Sequence, residues 1–203
     1  MTTASVAGQE RKSPGRPRNA LADEAILTAV LDLLSEGQAV AAISIEAVAA
    51  RAGVGKATIY RRWPNKEALI IDAVAAMKGP LPELEGVSVR DDLVTLIKAN
   101  RGGGKTSHSV GKVTACLLPE LLRDDTILPM YQGVVEPRRE VMRGVLRRGI
   151  ESGELRDDLN IELTLLMLTG PSMVQGLFRW DPKVPDDGFV EALVDAVLRG
   201  AAA

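Results

Sequence analysis

At 203 residues, with 46% hydrophobic and 26% charged side chains, the chain has an ordinary globular balance and room for one large or two small domains. Aromatic residues are only 3%, so the core must be built from Ala, Val, Leu and Ile, which favours helices over sheets. A single cysteine, Cys116, excludes an intrachain disulfide, and a net charge of −2 is by itself no argument for nucleic acid.

Residues 1–18 are rich in Ser, Thr, Gly and Pro and read as a disordered basic arm carrying Arg11, Lys12, Arg16 and Arg18. No apolar run of signal-peptide type accompanies them, so a cytoplasmic location is expected. The first helix is expected from about Ala20 to Glu36. Asn19 caps it, Asp23 and Glu24 sit in its first turn, and Ile26, Val30, Leu33 and Leu34 share one face. Gly37 ends it. Ser44 caps a second, short helix with Ile45, Val48 and Ala49 at helical spacing, which Gly53-Val54-Gly55 breaks. A third runs from Lys56 to about Arg62, Trp63-Pro64-Asn65 turns the chain, and Asn65 caps a fourth that reaches about Met77. These elements bound a domain at 19–78.

Lys78 to Ser88, with Gly79, Pro80, Pro82 and Gly86, reads as a loop at a domain junction. Residues 79–203 should form a second domain with helices near Val89–Asn100, Ser109–Leu122, Ile127–Ser152, Ile161–Arg179 and Phe189–Gly200. Pro119, Pro129, Pro137 and Pro171 should end, start or kink them. The longest apolar stretch, Ile161 to Phe178, is interrupted by Glu162, Gln175, Pro171 and three Thr/Ser residues, and reads as too polar and broken to span a membrane. No segment alternates with period two. The expected class is all-α, with about nine helices: an N-terminal three-helix helix-turn-helix domain and a C-terminal helical bundle.

The informative segment is Ser44 to Leu69, SIEAVAARAGVGKATIYRRWPNKEAL. Small Ala49 lets two short helices cross closely, Gly53 takes the left-handed turn, and Val54 and Ile59 face the shared core. Lys56, Ala57, Thr58, Tyr60 and Arg61 are then left on the outer surface of the third helix, whose N-terminal part enters a major groove in helix-turn-helix proteins. Lys56 can donate to guanine or phosphate, Ala57 or the Thr58 methyl can meet a thymine methyl, and the Thr58 and Tyr60 hydroxyls can bind phosphate. Lys66, in the first turn of the fourth helix, stands where backbone amides already favour an anion. Ser44 and Gly55, at the starts of the second and third helices, complete the expected DNA-facing set. Five basic residues and no acid lie between Arg51 and Lys66. On charge alone the same stretch reads as a solvated face, and on geometry alone as an ordinary helical hairpin. Arg16 and Arg18 can lie in an A·T-rich minor groove or belong to a solvated tail.

Two other classes compete. An enzyme is disfavoured: His108 and Cys116 are two helical turns apart, roughly 12 Å, Gly102–Gly104 with Lys105 lacks the rest of a phosphate loop, and no metal spacing or cofactor motif is present. A helical protein-interaction or ligand-binding module without DNA is the alternative, against which the acid-free basic stretch speaks.

The run A-x-x-A-G-V-x-x-x-T-I-Y-x-x-W-x-N-K-E-x-L resembles the DNA-binding signature of the TetR (tetracycline-repressor-like) family. Ala49, Ala52, Gly53, Val54, Thr58, Ile59, Tyr60, Trp63, Asn65, Lys66, Glu67 and Leu69 match it. Gly55 stands where members often carry Ser, and Arg62 where they often carry His or Tyr. The resemblance implies a homodimer, built here through about Ile161–Arg179 and Phe189–Gly200, and a double-stranded operator. It also implies repression relieved by a small molecule bound in the C-terminal domain. Candidates for the wall of that pocket are His108, Met130, Tyr131, Met142, Met167, Phe178 and Trp180, each of which also reads as core or surface.

Overall fold

A computed structural model describes residues 18–101, 107–179, 181–184 and 186–200. In chain order the helices are α1 (Arg18–Ser35), α2 (Ile45–Ala52), α3 (Lys56–Tyr60), α4 (Lys66–Lys78), α5 (Val89–Arg101), α6 (Ser107–Arg123), α7 (Ile127–Glu151), α8 (Ile161–Phe178) and α9 (Phe189–Arg199). A single 3-10 turn, Val40–Ala42, follows α1. The protein is all-α, as composition and periodicity predict.

Two local expectations need correction. Asn19 lies within α1 rather than capping it, because the backbone is already helical at Arg18; Asp23 and Glu24 therefore fall beyond the first turn. Pro129 sits in the opening turn of α7, but Pro119, Pro137 and Pro171 lie inside α6, α7 and α8, which continue past them. Each forfeits one intrahelical hydrogen bond, a cost that packing of the long helices offsets. α8 runs unbroken through Pro171 and is long and apolar enough to cross a bilayer by length and composition. Its buried face, Thr164, Leu165 and Leu168, packs instead into a bundle with α5, α6, α7 and α9.

Apolar side chains gather in two clusters. The first joins Ile26, Val30 and Leu34 of α1, Val48 and Ala49 of α2, Ile59 of α3, and Leu69, Ile70 and Val74 of α4. Val113 and Leu117 of α6, both at most 1% exposed, complete it. The second joins α5, α7, α8 and α9 around Leu93, Leu96, Met142, Leu146, Leu165 and Val194. The Cys116 thiol reaches the Leu34 carbonyl at 3.4 Å, so α6 is anchored directly to the end of α1. The packing thus crosses the boundary that the loop after Lys78 suggested.

Asp92 is the buried acid of the second cluster, at 3% exposure. It sits in the first turn of α5 and accepts from Arg148 of α7 at 2.5 Å and from the Gly86 amide at 3.4 Å. Arg90 forks onto Asp195 of α9 at 2.5 and 3.1 Å, and Lys98 pairs with Glu191, so α5 and α9 are laced along one edge.

α6 and α8 meet backbone to backbone at Gly111. A β-carbon there would fall against the carbonyl oxygen of Gly176, inside any allowed contact distance. Glycine is needed because the obstacle is main chain, which cannot rotate away. Gly111→Ala is expected to force the helices apart and to cost about 1–3 kcal/mol, read as a lower urea midpoint. An unchanged midpoint would show that the spacing of α6 and α8 is not held by this contact.

Candidate DNA interface and ligand cavity

The reading head is assembled by two side-chain caps and one turn. Ser44 Oγ accepts from the Ala47 amide at 3.1 Å at the start of α2, and Asn65 Oδ1 accepts from the Ala68 amide at 2.8 Å at the start of α4. Gly53 closes α2 with φ of 66°, the left-handed conformation that the turn demands. Val54 packs on the first cluster and Ile59 is fully buried beneath α3. Trp63 is buried too, and its indole N–H donates to Asp72 of α4 at 2.8 Å. The outer side of α3 presents Lys56, Ala57, Tyr60 and Arg61 to solvent, with Thr58 half-buried beside them. Tyr60 is 55% exposed, an unusual setting for a large ring. Gly55 caps α3 without a side-chain bond, and Ser44 is exposed.

The basic stretch looks different in space from how it looks in sequence. Arg51 binds Glu36 of the α1 end in a fork of 2.6 and 3.0 Å. Arg62 turns inward and pairs with Asp23 of α1. Lys66 donates to the carbonyls of Val40 and Ala41 at 3.1 and 3.5 Å, tying α4 to the 3-10 turn. Lys56 holds Glu46 of α2 at 2.8 Å; this contact draws the Glu46 carboxyl below, and the Lys56 ammonium above, their usual ranges. Four of the five basic residues thus engage partners outside the stretch, which is why a local count of charge overstated the patch. The Lys56–Glu46 pair is exposed on both sides, so phosphate can compete for the lysine. Arg16 and the Arg18 side chain lie outside the described residues.

In the C-terminal half a cavity of about 360 Å³ lies between α4, α5, α6, α7 and α8. This volume is within the roughly 300–1,000 Å³ of small-molecule sites. Tyr131 and Met142 line it; burial pushes the Tyr131 phenol above its ordinary range. Met130, Met167 and Phe178 do not line it. The lining stripe of α7 passes through Tyr131, Val135, Arg138 and Met142, and Met130 is a hundred degrees off that stripe. Met167 and Phe178 are 43% and 59% exposed on the outward side of α8. The His108 side chain and Trp180 lie outside the described residues.

Residues that sequence reading missed supply the polar wall: Lys78, Asn100, Arg101, Thr114, Arg138, Arg139 and Ser172. A signal for one of them was present. Arg138 falls at helical spacing with Met142, Val145 and Gly149 on the core-facing side of α7, where a charge needs a reason. It is 6% exposed, and it donates to Asn100 Oδ1 at 3.3 Å, to the Lys78 carbonyl at 2.9 Å and to the Gly79 carbonyl.

An exposed recognition helix on a glycine turn, joined to a helical bundle with a cavity, defines a helix-turn-helix regulator with a sensing domain. Comparison with known proteins agrees on both halves. Residues 26–73 match the profile described as "Bacterial regulatory proteins, tetR family", and residues 85–197 match "Tetracyclin repressor-like, C-terminal domain". The HTH-type transcriptional regulator YdeS of Bacillus subtilis is 35% identical over 193 residues, covering 93% of this chain and 94% of its own. The DNA-binding transcriptional repressor TetR of Mycobacteroides abscessus is 28% identical over 166 residues, covering 76% and 80%. Among solved structures, the TetR family transcription regulator SCO0332 superposes with a TM-score of 0.65 at 28% identity, over 90% of this chain and 99% of that one. FadR from Bacillus subtilis, in complex with stearoyl-CoA, gives 0.68 at 21% identity over 87% and 95%, a likeness of fold. The chain belongs to the TetR family. It is a DNA-binding transcriptional regulator, and the family's members are regulators rather than enzymes.

Proposed function

We propose that the protein is a cytoplasmic homodimeric repressor that leaves a palindromic operator when a small molecule fills the C-terminal cavity. The observation that carries this reading is the outward face of α8. Leu163, Leu166, Met167, Met173, Val174 and Phe178 are each 40–59% exposed, a continuous apolar strip on the longest apolar helix. Strips of this kind mark association surfaces, and a two-fold partner would cover it with its own α8 and α9. Leu166 and Met173 also line the cavity, so such a partner would close the cavity rim. The two-fold sets a pair of α3 helices about one DNA turn, ~34 Å, or somewhat more apart.

Coupling would run through α6, which lines the cavity with Val110, Gly111 and Thr114 and plants Val113 and Leu117 in the N-terminal cluster. A ligand that favours a displaced α6 shifts the spacing of the two reading heads by its differential affinity for the two states. FadR from Bacillus subtilis, similar in fold, was solved in complex with stearoyl-CoA, which supports this reading.

Within the head, Lys56, Ala57, Thr58, Tyr60 and Arg61 would meet DNA through α3, and Ser44, Gly55 and Lys66 would lie at the flanking helix starts. Arg16 and Arg18 would follow the adjacent minor groove. Selection of random duplexes on the purified full chain at two salt concentrations tests the reading. The expected result is an enriched palindrome whose binding weakens steeply with salt. No enrichment at either salt would sink it. On the selected site, Tyr60→Phe is expected to weaken binding about equally for every sequence, as for a phosphate contact. Lys56→Ala is expected to cost about 1–3 kcal/mol and to relax one base position. A uniform loss for Lys56→Ala would move that lysine to phosphate.

A further inference from the structure

The cavity carries an unbalanced charge. None of its described lining residues is acidic, while Lys78, Arg101, Arg138 and Arg139 are basic. Two of these are neutralised from outside: Arg101 by Asp186 at 3.3 Å, and Arg139 by Glu162 at 3.0 Å. Lys78 and Arg138 have no carboxylate partner among the described residues. Arg138 spends its donors on neutral oxygens, the Asn100 amide and the two carbonyls that close α4. Burial pushes the Lys78 ammonium below its ordinary range, with the Arg138 charge adding to the effect, and burial lowers the Arg138 guanidinium as well. A buried guanidinium beside a half-buried ammonium, neither with a carboxylate partner among the described residues, is costly, and an anion is the chemistry that would relieve both. Apolar side chains, Val110, Val135, Met142 and Leu177 among them, form much of the remaining wall.

We propose that the cavity takes an organic acid, a carboxylate on an apolar body, whose head group lies between Lys78 and Arg138 and draws Arg138 off the α4 carbonyls. This deepens the ligand-responsive reading above and rests on it. The switch follows from where Arg138 donates. Its contacts to the Lys78 and Gly79 carbonyls sit at the C-terminus of α4, the negative end of that helix. A carboxylate is a stronger acceptor than a peptide carbonyl, so it competes for the same guanidinium. The opposite end of α4 begins at Asn65 and Lys66 beside the DNA-facing surface, so a shift of the C-terminal end would be carried along the helix toward that surface.

The test uses the full-length protein and three matched pairs of probes: benzoate and decanoate, their alcohols, and their amines. Affinity is read from the concentration-dependent rise in melting temperature, and DNA release from operator titrations with each probe. Each acid is expected to bind roughly tenfold or more tightly than its alcohol, with the amine weakest, and to release the operator. Arg138→Gln is expected to erase the preference for acid over alcohol and to weaken operator binding without any probe. Lys78→Met, which leaves the Arg138 contacts to the α4 carbonyls in place, is expected to reduce the preference. Acids no tighter than alcohols, or a preference that survives both substitutions, would overturn the assignment. Acids that bind without releasing the operator would overturn the switch. An operator bound normally by a protein indifferent to acids sinks this inference alone; absence of operator binding sinks the repressor reading on which it rests.

Discussion

Val174→Glu is expected to yield a folded monomer with operator affinity lowered by about a hundredfold or more. Val174 is 40% exposed in the protomer, lies amid the apolar strip of α8, and does not line the cavity. Within a lone subunit the new carboxylate stays in water and disturbs neither core. At a two-fold interface one substitution places two like charges in a desolvated apolar layer, and the effective penalty is several kcal/mol per ion. Each 1.4 kcal/mol is about a tenfold change in dissociation constant, so dimerisation should weaken by roughly a thousandfold. A monomer grips one half-site, hence the fall in operator affinity. Sedimentation across a range of concentrations reads the first effect and operator titration the second. A variant that stays dimeric at micromolar concentration would place the interface elsewhere.

Arg148→Ala is expected to destabilise the C-terminal bundle by about 3–5 kcal/mol, because it strands the buried Asp92 carboxylate without its cation. Asp92 would keep only the long contact from the Gly86 amide. The asymmetry is the informative part. Removing both partners, as Asp92→Leu with Arg148→Met, is expected to recover most of the loss, since no charge is then left buried. Chemical denaturation of the two variants checks the pair. A loss below about 1 kcal/mol for Arg148→Ala would mean that water reaches Asp92 and that the ion pair is an ordinary surface one.

Much of this was legible in the residues. The apolar periodicity of Ile26, Val30, Leu33 and Leu34 put α1 in place, and Gly53, Val54 and Ile59 defined the turn and its plug through local chemistry alone. Local chemistry also misled. The five basic residues from Arg51 to Lys66 have no acid between them in sequence, yet Asp23 of α1, Glu36 just after α1 and Glu46 of α2 reach them. The cavity was less readable still. Methionines were natural candidates for an adaptable wall, but Met130 and Met167 face away from it by a fraction of a helical turn. Its polar wall comes from five helices, and no single stretch of sequence spells out what they bring together. Arg138 was the exception, a charge on an apolar helix face whose partners lie 38 to 60 positions away.

The anchoring of α6 in the N-terminal cluster has a consequence for how this regulator can be taken apart. A fragment ending at Lys78 would keep α1 to α4 but lose Val113 and Leu117, and with them the lid over α1 and the 3-10 turn. The reading head is therefore not a module that can be cut out and grafted at the loop that follows it. A chimera that carries this specificity to another sensor has to bring α6 along, even though α6 lies beyond the natural seam and half of it faces the cavity of the protein it would leave behind.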